Sequence, residues 1–160
     1  MDNPLTLFLN GESATEALAG RIAPDLAAPL VLWLEGDLGA GKTTLVRAVL
    51  RRLGYAGAVK SPTYAIVESY EPGGLAVHHF DLYRFASPEE WEDAGLDDLF
   101  AAPAVHFIEW PQRAEGFVPE ADLRIALQMQ GGGRICTLSA ASEKGKQLLA
   151  LWQNLPAELS

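Results

Sequence analysis

Residues 36–43 read G-D-L-G-A-G-K-T, a full G-x-x-x-x-G-K-[ST] pattern, and the residue types describe a grip on phosphate. Gly36, Gly39 and Gly41 reach backbone angles closed to other residues, so successive N–H groups can curl around phosphate oxygens. Lys42 adds a point charge, and Thr43 offers a hydroxyl to Mg²⁺. The nucleotide-contacting stretch expected from the pattern is Gly36, Asp37, Leu38, Gly39, Ala40, Gly41, Lys42, Thr43 and Thr44, with ATP and Mg²⁺ as its occupants.

Such a loop works only between a strand and a helix. Leu30 to Leu34 (L-V-L-W-L) is an apolar run of strand length, and Leu45, Val46, Val49, Leu50 and Leu53 recur at helical spacing until Gly54. The helix N-terminus then adds its dipole to the phosphate site. Upstream, Leu5 to Leu9 predict a strand, and Ser13 with Glu16 reads as a capping box opening a helix to about Ala23. Downstream, 65–71 and 75–82 form a hairpin about Pro72-Gly73-Gly74, and Ser87-Pro88-Glu89-Glu90 opens a short helix with a second turn near Leu96 to Phe100. Ala104 to Ile108 is a strand. Residues 122–130 and 134–140 make a second hairpin about Gly131-Gly132-Gly133, and Ser142 starts a last helix through Asn154. The expected fold is an α/β, P-loop NTPase-like three-layer sandwich in one domain, 1–160, with a mixed sheet of about seven strands including two antiparallel hairpins.

Binding phosphate is not yet chemistry; hydrolysis needs a metal partner and a group that places the nucleophile. In open α/β sheets these sit at the carboxyl ends of strands. Glu109 ends A-V-H-F-I, where an acid would hold Mg²⁺ directly or through water, or else simply face solvent. Asp81 ends an apolar run and shares a strand face with Val77 and His79. It could orient or activate water, sit behind the metal, or cap a turn paired with Arg84. Adjacent His78 and His79 face opposite ways and cannot chelate one metal together; each is read as making a structural hydrogen bond. Ser61-Pro62-Thr63-Tyr64 follows the loop helix where switch segments sit, so Ser61 and Thr63 could sense a γ-phosphate, or the proline could just stiffen the opening of a strand. Trp110 either packs at the edge of the site or meets a partner.

Composition limits the alternatives. A formal net charge of −9 argues against an extended nucleic-acid interface, so any RNA link is indirect. Arg47, Arg51 and Arg52 form one basic group, read as a solvated face or a dock for an acidic partner. The single cysteine, Cys136, excludes an intrachain disulfide and a thiolate zinc cluster. No apolar run reaches membrane-spanning length, and the cytoplasm is the expected location.

Four separated motifs, G-D-L-G-A-G-K-T at 36–43, S-P-T-Y at 61–64, H-F-D-L-Y-R at 79–84 and I-E-W at 108–110, together resemble the TsaE (formerly YjeE) family, the ATPase of bacterial tRNA threonylcarbamoyladenosine synthesis. The resemblance implies a small cytoplasmic ATPase that binds a TsaD–TsaB complex and meets tRNA only through it. It also implies that Lys42 and Thr43 bind phosphate and Mg²⁺, that Glu109 is a metal ligand, that Asp81 serves hydrolysis, and that Ser61 and Thr63 belong to a switch-like segment. Where many members carry an acid shortly after I-E-W, this chain continues Pro111-Gln112-Arg113. Glu12 to Thr15 and Arg134 are the candidates for contacts with the base.

Turnover on such a site is expected to be slow alone and raised in a complex, unless Arg84 supplies charge in cis instead of pairing with Asp81. The alternative of a small-molecule kinase would need an arginine-bearing lid, whereas Ser87 to Phe100 is acidic and lacks arginine. No N-K-x-D or D-x-x-G motif supports guanine selection, and a non-catalytic nucleotide sensor is the remaining class.

Overall fold

A computed structural model describes residues 4–160. Its frame is one sheet of eight strands in the order β3-β4-β5-β2-β6-β7-β1-β8. The strands are β1 (Leu5–Leu9), β2 (Leu30–Glu35), β3 (Val67–Tyr70), β4 (Val77–Asp81), β5 (Val105–Glu109), β6 (Leu123–Gln130), β7 (Gly133–Ala140) and β8 (Glu158–Leu159). The helices are α1 (Glu12–Ile22), α2 (Lys42–Arg52), α3 (Glu90–Asp93) and α4 (Glu143–Leu151). The parallel centre β4, β5, β2, β6 is flanked by antiparallel pairs at β3–β4 and β6–β7, the two expected hairpins. The strand beyond the expected seven is β8, two residues beside β1, too short to leave a periodic signal.

Strand alternation divides the core into two layers around the sheet. Leu30, Leu32 and Leu34 of β2, Val77 of β4 and Val105 and Phe107 of β5 join one cluster with Leu18 and Ile22 of α1, Leu45 and Val49 of α2 and Leu149 of α4. On the other face Phe80 of β4 and Ile108 of β5 meet Trp91 of α3, Leu96 and Ala114. Every residue of β5 is buried, as a strand covered on both faces requires. The alternation therefore puts His79, Asp81 and Glu109 on the α2 side of the sheet.

Local chemistry corrects several expected boundaries. α1 begins at Glu12 with Gly11 as N-cap and no side-chain cap bond, so Ser13 and Glu16 do not form the capping box. Ser142 does cap α4, accepting from Gly145 N at 3.0 Å, but that helix ends at Leu151, short of Asn154. Before α3, the Glu90 carboxylate reaches back to the N–H groups of Ala86 and of Ser87, the latter at 2.9 Å. Gly133 joins β7 opposite Gln130, leaving only Gly131 and Gly132 in the hairpin turn. Among the described residues no helix is long and apolar enough to cross a membrane.

Candidate functional site

The register of the central strands assembles the site. Asp81 lies beside Glu109 across β4 and β5, and Glu109 lies beside Leu34 across β5 and β2. Three carboxyl ends therefore finish level, and residues 36–41 leave the last of them as a loop into α2. Gly36 has φ +145° and a Cβ there would come within 2.4 Å of the Leu127 carbonyl oxygen, so the loop can hug β6 only with glycine at its start. Gly41, left-handed at φ 104°, turns the chain into α2. That helix of 11 residues has no side-chain cap, which leaves first-turn N–H groups for an outside acceptor.

These elements enclose a cavity of about 280 Å³ lined by residues 38–44, Ser61, Thr63, Asp81, Glu109, Trp110 and Arg134. Lys42, with its side chain folded back over the loop, donates to the carbonyl oxygens of Gly36 and, at 3.2 Å, of Asp37, and its ammonium lies 4.4 Å from the centre of the Trp110 ring. Burial lowers the Lys42 pKa from its ordinary value, and Glu109, Asp81 and Asp37 oppose that shift. Thr43 Oγ1 donates to Glu109 Oε2 at 3.0 Å, bridging α2 to β5. Glu109 is 3% exposed, so it is not a solvent-facing strand end.

Asp81 accepts from Tyr83 N at 3.0 Å through Oδ1 and from Thr63 Oγ1 at 3.3 Å through Oδ2. Its pKa is raised, first by desolvation and also by the neighbouring Glu109 charge, while the Tyr83 and Thr63 bonds and His79 oppose the rise. Ser61 Oγ lies 2.7 Å from Thr63 Oγ1, so the 61–64 segment is chained to the strand-end acid. Its backbone is tied in too: Ile66, a β-branched residue at φ 72°, accepts from Asp81 N at 2.8 Å. Among the described residues Trp110 is the other non-glycine residue at positive φ, and it lines the cavity.

Some sequence expectations come out differently. No ion pair joins Arg84 to Asp81 among the described residues; the Arg84 guanidinium lies 4.3 Å from the centre of the Tyr64 ring. Arg134, a candidate for contact with the base, lines the cavity and braces the loop from β7, donating to Ala40 O at 2.9 Å and to Gly39 O at 3.2 Å. Glu12 lines a neighbouring cavity of about 240 Å³ with Glu16, Thr44, Arg47, Arg51 and Arg52, so the basic group has acidic company. Thr15 is buried, 7% exposed. His78 bonds Ser69 Oγ at 2.7 Å on the far face, as a structural histidine. His79 is different: its Nε2 is 2.6 Å from Glu109 Oε2, which brings it into the site. Strand alternation with Asp81 was the signal available for it.

Comparison with known proteins adds an independent line. The family described as "Threonylcarbamoyl adenosine biosynthesis protein TsaE" matches residues 9–135. The Haemophilus influenzae tRNA threonylcarbamoyladenosine biosynthesis protein TsaE is 42% identical over 125 residues, covering 78% of this chain and 79% of that protein. The Bacillus subtilis protein of the same name is 37% identical over 135 residues, 84% of each chain. The crystal structure of Bacillus subtilis YdiB superposes with a TM-score of 0.78 at 31% identity, covering 94% of both chains. With the glycine loop and both strand-end acids inside the matched residues 9–135, the chain belongs to the TsaE family, which acts in tRNA threonylcarbamoyladenosine biosynthesis.

Proposed function

We propose that the protein is an ATPase of this pathway, binding ATP with Mg²⁺ at the loop and hydrolysing it slowly alone and faster when docked on TsaD–TsaB in the cytoplasm. The observation that carries the reading is the level ending of three strands. It places a glycine loop, Thr43, Glu109 and Asp81 around one cavity.

The donor set suits a triphosphate. Loop residues and the uncapped first turn of α2 line the cavity, and the Lys42 ammonium, now on carbonyl oxygens, would exchange those acceptors for phosphate oxygens. Thr43 and Glu109 would hold Mg²⁺, which when bound neutralises phosphate charge and fixes the scissile end. Asp81, made more basic by burial and by Glu109, is suited to orient the attacking water and draw on its proton. Thr63 and Ser61 tie the switch-like segment to that acid, so a group entering between them would reset the segment.

A partner surface lies at the same end. Leu38, which lines the cavity, is 61% exposed, and Tyr64, next to the cavity-lining Thr63, is 84% exposed, so both offer apolar contact area to a partner at this end. The acidic balance of −9 fits a protein partner, with tRNA held by the complex rather than by this chain. Calorimetry with ATP and Mg²⁺, followed by phosphate-release assays with and without TsaD–TsaB, tests the reading. Saturable uptake and stimulated release are expected; a well-folded protein that takes up no adenine nucleotide, alone or with the partners, overturns it.

A further inference from the structure

Glu109 Oε2 receives two donors, Thr43 Oγ1 at 3.0 Å and His79 Nε2 at 2.6 Å. The His79 side chain is 0% exposed on a strand paired on both sides, in register with Phe107 on β5 and Glu68 on β3, so close packing leaves its ring little room to turn. Its Nδ1 has no hydrogen-bond partner. A buried N–H without an acceptor costs more than a bare ring nitrogen, so the proton belongs on Nε2, pointing at Glu109.

We infer that His79 is a positioning residue: by pinning Glu109 Oε2 it directs the Thr43 hydroxyl proton onto that oxygen and leaves the hydroxyl lone pairs facing the cavity for a divalent cation. A threonine hydroxyl has one proton and two lone pairs, so what accepts the proton decides where the lone pairs point. A glutamate held by a single donor turns about its broad terminal torsion; the fixed ring removes that freedom. Groups in this outer position tune metal affinity by orienting the ligand rather than by touching the ion.

The inference rests on the Mg·ATP reading, and the experiment separates the two. Electron paramagnetic titration of Mn²⁺ in the presence of ATP is run on wild type, His79→Gln and His79→Asn, beside ATP affinity measured in EDTA. The glutamine amide nitrogen can reach the Nε2 position; the asparagine amide falls one bond short. Expected are wild-type-like Mn²⁺ affinity for His79→Gln, a loss of about 10- to 100-fold for His79→Asn, and equal metal-free ATP affinity in all three. Folded Gln and Asn variants that bind Mn²⁺ equally well, or are equally impaired, overturn the inference and leave the nucleotide reading standing. A wild-type protein that binds no Mn²⁺·ATP overturns both. Should His79→Asn fail to fold, ¹H–¹⁵N spectra of the wild-type imidazole decide: a single proton on Nε2 supports the assignment, and a proton on Nδ1 with a bare Nε2 overturns it.

Discussion

Replacing Asp81 with asparagine should stabilise the fold while removing the proposed ATPase activity. The carboxylate is 7% exposed beside Glu109, and both desolvation and that charge raise its pKa above the ordinary 3.8. A raised acid pKa means that the folded state holds its proton more tightly than the unfolded chain. Its contribution is thus most favourable at low pH and is lost as pH climbs from 3.8 through the folded-state value. Asparagine avoids that loss and keeps the geometry, because its oxygen can still accept from Tyr83 N and its amide can donate to Thr63 Oγ1. Relief of strain of this kind at a functional site is worth about 0.5–2 kcal/mol, and at roughly 2–4 °C per kcal/mol for a chain of this size the midpoint should rise by about 1–8 °C at neutral pH. Thermal melts at pH 7.5 and pH 4 check the sign, since the gain must shrink in acid. Phosphate release should fall by about 100-fold or more with ATP binding kept, the loss expected when a positioned base is removed. A lower midpoint at pH 7.5, or a gain identical at both pH values, would refute the reasoning.

Lys42→Ala removes a cation whose side-chain hydrogen bonds, among the described residues, go to the Gly36 and Asp37 carbonyls, so the fold should survive while ATP affinity drops by about 10- to 100-fold, read by calorimetry. Gly145→Ala would put a Cβ 1.8 Å from the Asp122 carbonyl oxygen, backbone against backbone, forcing α4 off the sheet; urea denaturation should show a loss of about 3 kcal/mol or more. Cys136 is buried in β7 with its thiol pushed up to about 12, so it should resist thiol reagents in the native protein and react only on unfolding, which a timed labelling assay measures.

The sequence carried the frame because the frame depends on local signals. The apolar run before Gly36, the helical spacing from Leu45, and the turn residues at 72–74 and 131–132 each act within a few positions. Both strand-end acids were legible for the same reason. What stayed hidden was set by register between distant strands. Glu109 meets His79 only because β4 lies beside β5, and Arg134 meets Ala40 only because β7 brings the end of its hairpin under the loop. Arg84 misled for the opposite reason: three positions from Asp81 in sequence, it finds the face of Tyr64 a better partner than a carboxylate already holding Tyr83 N and Thr63.

The charge layout gives the proposed slow basal turnover a physical cause. One wall of the cavity is acidic, with Asp81 and Glu109 side by side, and a phosphoryl group passing from ADP to water would need positive charge opposite them. Lys42 can supply some, but the guanidinium of Arg134 is already bound to the Ala40 and Gly39 carbonyls, and that of Arg84 lies on Tyr64. Freeing Arg84 would require moving Tyr64, an 84% exposed side chain next to the cavity-lining Thr63. A partner that covers Tyr64 thus has two routes to a faster reaction, bringing its own cation to the mouth or releasing Arg84 toward the site. Both act through the same contact, so docking and stimulation should be inseparable properties of this edge of the sheet.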